Sequence, residues 1–145
     1  MPLIGNEPKD TIRVNARSRI DLKKLLNNGR HSVMSGCGKM IMDYIFTETS
    51  KTTPGVNLVD LLDASGNLVK TLSGSWSSWV DTGSSIKRTF TAEDTSTDTY
   101  TFRKAILKSA DGAYNLLYHE EPSDKSKPSD QKVVVTWEVE IPYQA

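Results

Sequence analysis

The residues used most often in nucleophilic catalysis, cysteine and histidine, are few in this chain and far apart. They are Cys37, His31 and His119. A catalytic nucleophile needs a base within hydrogen-bond distance and a third group that orients the base, and no Gly-x-Ser-x-Gly turn is present to expose a serine. Cys37 stands between two glycines, which indicates a tight loop, and no sequence neighbour marks an activated thiol. We therefore predict no catalytic residue and a protein that is not an enzyme.

Acidic residues and glycines raise the question of a metal ion or a phosphate group. Glu93, Asp94 and Asp98 are close in sequence, but their spacing departs from that of a calcium-binding loop. One cysteine and two histidines are too few for the about four ligands of a structural zinc ion. Residues 35–39 contain glycines and a lysine without the spacing of a phosphate-binding loop. We predict no metal and no cofactor.

Acidic and aromatic side chains could together recognise a carbohydrate. Glu120 and Glu121 could supply the two carboxyl groups of a glycosidase, but nothing in the sequence selects them. Trp76 and Trp79 lie in a serine-rich segment, where a spacing of three on a strand places them on opposite faces. One of them or, on a loop, both would then be exposed to stack on a sugar or anchor a protein interface, unless both lie in the core. Trp137 is predicted to lie in the core.

The chain is neutral as a whole, but its charges are unevenly distributed. Residues 1–40 carry eight basic and three acidic side chains, and the rest of the chain carries 10 and 15. A basic leader could bind the acidic body of a neighbouring copy or nucleic acid, or could simply be solvated. Nucleic acid is the weaker alternative, because residues 1–40 contain no aromatic side chain on which bases could stack. The side chains predicted to form a subunit interface are Arg13, Arg17, Arg19, Lys23, Lys24 and Tyr143.

The clearest structural signal is the alternation in residues 132–141. Apolar side chains occupy the odd positions and polar ones most of the even positions, which is the period of a strand with one buried face. Charges on the other face are typical of an edge strand. Pro142 predicts the end of the strand, after which Tyr143 could reach a neighbouring subunit. The apolar positions are Val133, Val135, Trp137, Val139 and Ile141.

Turn residues divide the rest of the chain into short elements. Residues 56–62 and 68–72 flank an Asp/Gly/Asn turn, and residues 99–108 and 113–119 flank a second turn, so both pairs are predicted hairpins.

Three further segments have less regular patterns. Residues 39–47 are predicted as a buried strand that follows a glycine loop, and residues 120–131 as an exposed loop with two prolines. The one predicted helix begins at a cap, Ser18 or Asp21, and stops at Gly29.

Eight or nine short strands predict a mainly β protein: a single antiparallel β-sandwich or small barrel with one short helix and an extended N-terminal arm. We assign residues 1–17 to the extended basic arm and first strand, and residues 18–145 to the β-sandwich domain. The single cysteine precludes an intrachain disulfide, and no apolar run reaches the about 18 residues of a membrane span. Residues 1–7 lack a secretory pattern, so we expect folding in a cytoplasm and no membrane partner.

Residues 99–112, a polar loop and residues 130–141 resemble the C-terminal half of small β-rich structural proteins of tailed phages and related viruses. Those proteins are capsid-associated, neck or tail components. The resemblance implies a phage or viral structural protein without an active site, located in the virion and assembled in the host cytoplasm. Its partners would be copies of itself, as a homo-oligomer, and other virion proteins.

Other functions remain open. A carbohydrate- or ligand-binding β-sandwich could use Trp76, Trp79 or Tyr143 as its contact surface. An enzyme such as a glycosidase and a nucleic-acid binder that uses the basic leader are further alternatives, and steep salt dependence of binding would identify the latter.

Overall fold

A computed structural model describes residues 11–20, 31–49 and 52–143. These residues form nine strands and one helix, so the prediction of a mainly β protein with one short helix is confirmed. In chain order the elements are β1 (Thr11–Arg19), β2 (His31–Val33), α1 (Ser35–Tyr44), β3 (Val56–Leu62), β4 (Leu68–Trp76), β5 (Val80–Asp81), β6 (Ser85–Asp94), β7 (Tyr100–Ser109), β8 (Asn115–Lys127) and β9 (Lys132–Pro142).

The nine strands belong to one continuous sheet. Its order is β1-β9-β6-β4-β3-β7-β8-β2, and β5 pairs with β6 beside this path. β1, at one end of the path, also lies against β2 and β8 at the other end. The sheet therefore curls into a nearly closed, barrel-like form, which leaves little strand edge exposed.

β4 joins the two halves of this sheet. Its first part pairs with β3, and its last three residues, which begin at Gly74, pair with β6. A Cβ atom at position 74 would lie 2.2 Å from the carbonyl oxygen of Thr91. Glycine is needed here because the two backbones approach too closely for any side chain.

One strand pair departs from the predicted antiparallel arrangement. β1 runs parallel to β9, with Thr11 opposite Lys132 and Arg19 opposite Glu140, whereas the other described pairs are antiparallel. β9 is thus flanked by β1 and β6, and the prediction that it is an edge strand is wrong. Charges on one face show only that the face meets water, and they do not reveal whether the backbone is paired.

The inward face of β9 contributes the centre of the core. Val133, Val135 and Trp137 are fully buried, so the core position predicted for Trp137 is confirmed. Its indole Nε1 donates a hydrogen bond to Ser18 Oγ at 2.8 Å, and Ser18 lies in β1 rather than at a helix cap. Ile141, on the same face, is 41% exposed, so the interior opens towards the end of the strand.

Both predicted hairpins are confirmed. Between β3 and β4, Asp63 Oδ1 accepts hydrogen bonds from the backbone N–H groups of Ser65 and Asn67 at 2.9 Å, and Gly66 has a φ of 90°. Between β7 and β8, Gly112 has a φ of 74°. These turns depend on interactions between close sequence neighbours, so local sequence is sufficient to predict them.

α1 lies where the sequence predicts a glycine loop and then a buried strand, so both of these predictions are wrong. Cys37, Met40 and Ile41 have the spacing of one helix face and pack against the core. A Cβ atom at Gly36 would lie 2.2 Å from the carbonyl oxygen of Asn115 in β8. The glycine therefore permits close packing of helix on strand and does not mark a turn.

β8 continues through most of the segment predicted as an exposed loop, and it ends at Lys127. Its register with β7 jumps between Glu120 and Lys125, so residues 121–124 face a single residue of β7. This bulge contains Pro122, which has no N–H to give to a ladder. The loop prediction is wrong because proline and charge are compatible with a bulged strand.

Other predictions fall wholly or partly outside the described residues. Residues 1–10, which the sequence assigns to the arm, and residues 21–30, which hold most of the predicted helix, are among them. β1 runs without a break through the assigned boundary at residues 17 and 18, and Val14 and Ala16 in it are buried. Within the described part of the chain, no helix is long and apolar enough to cross a membrane.

Candidate functional site

An apolar groove opens at the end of the barrel-like sheet where β1 and β9 finish. Its volume is about 650 Å³, a size that is typical of ligand and peptide sites. We call it the mouth groove. It is lined by Gly55, Val56, Trp76, Trp79, Ile86, Lys87, Arg88, Val139 and Ile141.

The floor of the mouth groove is formed by residues that the pairing of β6 with β9 brings together. Ile86 pairs with Ile141, and Arg88 pairs with Val139, across β6 and β9. Because side chains two positions apart share a face, these residues continue the inward face of Trp137. Trp137 is fully buried while Ile141 is 41% exposed, so, among the described residues, the groove is the open end of the sheet interior.

Trp76 forms a fixed wall of the groove. Its Nε1 donates to the carbonyl oxygen of Val56 at 2.6 Å, and its ring lies 5.2 Å from that of Phe90. The guanidinium of Arg88 lies 5.8 Å from the indole centre, and Arg88 Nε donates to the carbonyl oxygen of Ser77 at 2.6 Å. Hydrogen bonds and a cation–π contact thus hold both side chains in place.

Trp79 lies on the rim of the same groove and is 62% exposed. Trp79 lies in the connection between β4 and β5 and not within a strand, so the alternation of strand side chains between two faces does not apply to it. Trp76 and Trp79 therefore line one groove rather than opposite faces of a sheet, with the first half-buried and the second open to solvent.

The apolar lining continues beneath α1. A cavity of about 310 Å³ lies between the helix and the sheet, and it shares Val56, Trp76, Val139 and Ile141 with the mouth groove. Cys37 is on its wall, and burial raises the pKa of this thiol. The thiol is therefore kept protonated and unreactive at neutral pH.

β5 forms the outer rim, and within the described residues it pairs only with β6. Val80 is 59% exposed. Tyr143 packs behind this rim, where its hydroxyl donates to Asp81 Oδ1 at 2.7 Å. That hydrogen bond, with one from the Gly83 N–H, lowers the pKa of Asp81. Tyr143 is still 40% exposed, so it contacts its own chain and presents surface to solvent.

The predicted interface arginines lie elsewhere. Arg13, Arg17 and Arg19 are exposed along the outer face of β1, where Arg17 stands opposite Glu138 and Arg19 opposite Glu140 of β9. The structure does not bring them together with the two tryptophans, although β1 ends at the mouth groove. The remaining two predicted interface residues lie outside the described part of the chain: Lys23 and Lys24.

Two titratable residues are buried inside the sheet. His119 Nε2 and Glu121 Oε2 are 2.6 Å apart, and the histidine ring packs edge-on against Trp137 at 6.2 Å. Glu121 also faces the Lys125 ammonium at 3.6 Å. The second histidine, His31, is opposite His119 in the β2–β8 register. The pair lines neither cavity described above and anchors the bulged part of β8.

A buried lysine fills the opposite end of the sheet. Lys127 is 1% exposed, and its ammonium donates to the carbonyl oxygens of Ser96, Asp98 and Pro128 at 2.6, 2.7 and 3.2 Å. Three carbonyl dipoles thus replace the water that a buried charge would otherwise need.

Asp94 is buried beside this lysine-filled end. Burial alone would raise its pKa, but hydrogen bonds from Ser96 and Tyr100, together with the charge of Lys70, outweigh burial and hold the pKa below its usual value. The Tyr100 hydroxyl donates to Asp94 Oδ2 at 2.6 Å. The carboxylate is therefore a structural hydrogen-bond acceptor.

The other acidic residues of this turn also have cationic partners. Glu93 pairs with Lys132 at 3.4 Å, and Asp98 pairs with Lys70 at 2.7 Å. Across the described residues, no group of three or more histidine, cysteine, aspartate or glutamate side chains is arranged to hold a metal ion.

Sequence reasoning singled out Trp76 and Trp79 but missed Ile86 and Arg88. Both residues lie in β6, and nothing in their local sequence shows that this strand pairs with β9. The finished groove combines an apolar floor, an aromatic rim and the guanidinium of Arg88, whereas the Lys87 ammonium lies 3.7 Å from Glu138 Oε1 on the other face of the sheet. Such a site can bind an extended group that is apolar in one part and anionic in another.

Comparison of the chain with protein-family models, with curated proteins and with solved structures finds no match. The function is therefore argued from the geometry.

Proposed function

We propose that this protein is a structural subunit of a virion that self-associates or binds a capsid or tail assembly, and that it has no catalytic role. The observation that supports the proposal is the apolar surface at the mouth groove. Trp79, Val80 and Ile141 are 62%, 59% and 41% exposed. Adjoining apolar side chains on a folded domain are typical of protein interaction sites, and tryptophan often dominates the binding energy of such sites.

The strand pairing joins these side chains into one surface. β5, with Val80, pairs with β6 next to Ile86, and Ile86 pairs with Ile141. Tyr143 follows β9 and contacts β5 through Asp81. Trp79, Val80, Ile141 and Tyr143 therefore form one patch at one end of the molecule.

Within this proposal the domain is a small barrel rather than a sandwich, because β4 pairs continuously with strands of both halves of the sheet. The partners would be further copies of the chain and other virion proteins, and assembly would take place in the host cytoplasm. The exposed row of Arg13, Arg17 and Arg19 would supply additional contacts to acidic neighbours.

The alternative function is that of a carbohydrate- or ligand-binding module. The presence of two tryptophans in one groove favours it, because an exposed indole can stack on a sugar ring. The charged residues in the lining are Lys87 and Arg88, but the Lys87 ammonium pairs with Glu138 at 3.7 Å and Arg88 already binds a carbonyl oxygen. A sugar needs several hydrogen-bonding groups for its hydroxyls, so the apolar lining favours a protein partner.

Sedimentation of the full chain over a range of concentrations tests the proposal. We expect the wild-type protein to form oligomers and Trp79→Ser to weaken their association by at least about tenfold, as expected for loss of an anchor residue. Leu68→Ser is the matched control, since Leu68 is 59% exposed but lies at the far end of β4 from Trp76.

A wild-type protein that remains monomeric at every concentration would contradict the proposal. Equal weakening by the two substitutions would show that association does not use the mouth groove. Binding on a glycan array that is lost in Trp79→Ser would instead support the carbohydrate alternative.

A further inference from the structure

We propose that the mouth groove of one copy binds residues 1–10 of a second copy, so that subunits associate head to tail. The inference rests on the proposed function and specifies which surfaces meet. Residues 1–10 lie outside the described part of the chain, and they immediately precede β1.

The groove has the chemistry of a site for an extended peptide. Its floor is apolar, with Ile86, Val139 and Ile141, and its lining also holds the cationic Arg88. β5 stands beside it with one described strand partner, β6. An unpaired strand edge next to apolar pockets is the arrangement to which extended segments add by β-strand pairing.

Residues 1–10 have the complementary composition. Leu3 and Ile4 are adjacent apolar residues, and Glu7 follows at a distance of about 10 Å in an extended chain. Alternate side chains of an extended segment share a side, so Leu3 and Glu7 point the same way. Leu3 would occupy the apolar floor, while Glu7 would face Arg88. Complementary charge fixes the direction in which such a segment binds.

Geometry prevents a chain from filling its own groove in this way. Thr11 is level with Lys132, and the groove lies seven to nine residues further along β9, at Val139 and Ile141, a distance of about 23–30 Å. Leu3 precedes Thr11 by eight residues, and a segment that reversed its direction would use at least about two of them in a turn. The remaining six span at most about 20–22 Å, so Leu3 can reach the groove of a second copy but not its own.

The donor and acceptor surfaces therefore lie at opposite ends of the molecule. An interface of this kind is heterologous, and it continues until the rotation between subunits closes a ring or produces a helical filament. Each copy gives one segment and receives one.

Two full-length variants test this arrangement. Leu3→Ser/Ile4→Ser keeps the groove but loses the anchor, and Trp79→Ser keeps the anchor but alters the groove. We expect each variant alone to sediment as a monomer, with association weakened at least about tenfold. Mixed at equal concentration, they should form a complex of two subunits and no larger species, because Trp79→Ser donates its segment to the intact groove of the other variant.

Circular dichroism will show that both variants remain folded, and Leu68→Ser mixed with Leu3→Ser/Ile4→Ser is the control that should still form larger species. If the wild-type protein associates but the mixture stays monomeric, the head-to-tail inference is overturned and the proposed function stands. The same holds if Leu3→Ser/Ile4→Ser associates as the wild type does. A monomeric wild-type protein overturns both.

Discussion

Replacing either of two glycines in α1 by alanine is expected to change stability in opposite directions. Gly36 and Gly38 are two residues apart in the same helix. A Cβ atom at position 36 would lie 2.2 Å from the carbonyl oxygen of Asn115, whereas nothing lies within 4 Å of one at position 38. Comparing the two substitutions therefore separates the effect of helix propensity on stability from the effect of packing against β8.

The magnitudes follow from these distances. Gly38→Ala should stabilise the protein by about 0.5–1 kcal/mol, the usual gain of alanine over glycine inside a helix. Gly36→Ala has the same gain, but its contact with the Asn115 oxygen is more than about 1 Å shorter than a favourable one. A backbone oxygen cannot turn aside as the end of a flexible side chain can, and overpacking costs about 1–3 kcal/mol. The net loss at position 36 is therefore up to about 2.5 kcal/mol.

Thermal unfolding measures both changes. For a domain of this size 1 kcal/mol corresponds to about 2–4 °C in Tm. We therefore expect Gly38→Ala to raise Tm by about 1–4 °C and Gly36→Ala to lower it by up to about 10 °C. A shift of the same sign at both positions would refute the reasoning. Equal losses would indicate that the two glycines form the loop that the sequence pattern suggests.

Three further predictions concern the two ends of the sheet. Lys127→Met should lower the free energy of unfolding in urea by about 2–4 kcal/mol, because three carbonyl oxygens lose a charged donor. Lys132→Met removes only an exposed ion pair and should cost less than about 1 kcal/mol. Because the pKa of Asp94 is lowered on folding, its stabilisation is complete above about pH 4 and is lost as the pH falls through the lowered value. Asp94→Asn should therefore flatten the loss of stability below about pH 4, measured by urea unfolding at each pH. Trp76→Phe removes a hydrogen bond and should cost about 1–2 kcal/mol in the same assay.

A specific result would contradict each of these three predictions. Equal effects of Lys127→Met and Lys132→Met would mean that the carbonyl cluster contributes nothing beyond a surface charge. If Asp94→Asn loses stability with falling pH as the wild type does, groups other than Asp94 cause the loss of stability in acid. A Trp76→Phe variant as stable as the wild type would show that water replaces the lost donor at Val56.

The sequence predicted the features that depend on close neighbours. Asp63, Gly66 and Gly112 identify their turns without reference to the rest of the molecule, so both hairpins could be located. The parallel pairing of β1 with β9 could not be predicted in this way, because Thr11 and Lys132 are brought together only by the complete fold. Gly36 was predicted to lie in a loop because local sequence does not show the close approach to Asn115 of β8 that requires a glycine there.

The residues of the candidate site also divide into those that local sequence identifies and those that only the complete fold brings together. Trp79 is identifiable from its type, since tryptophan is costly to leave in water and common at interfaces. Arg88 and Ile86 become part of the groove only through pairing with β9. Charge on β1 was predicted to mark an interface, and the structure shows that Arg17 and Arg19 stand opposite glutamates of the same chain.

The parallel pair of β1 and β9 also sets the order in which the molecule is completed during synthesis. Lys132 follows its partner Thr11 by 121 positions, so at about 5–20 residues per second a ribosome needs about 6–24 s to supply it. Until then β1 lacks the strand with which it pairs. Pairing of the first strand therefore has to wait for nearly the whole chain, and nascent chains crowded on one messenger have that interval in which to exchange strands.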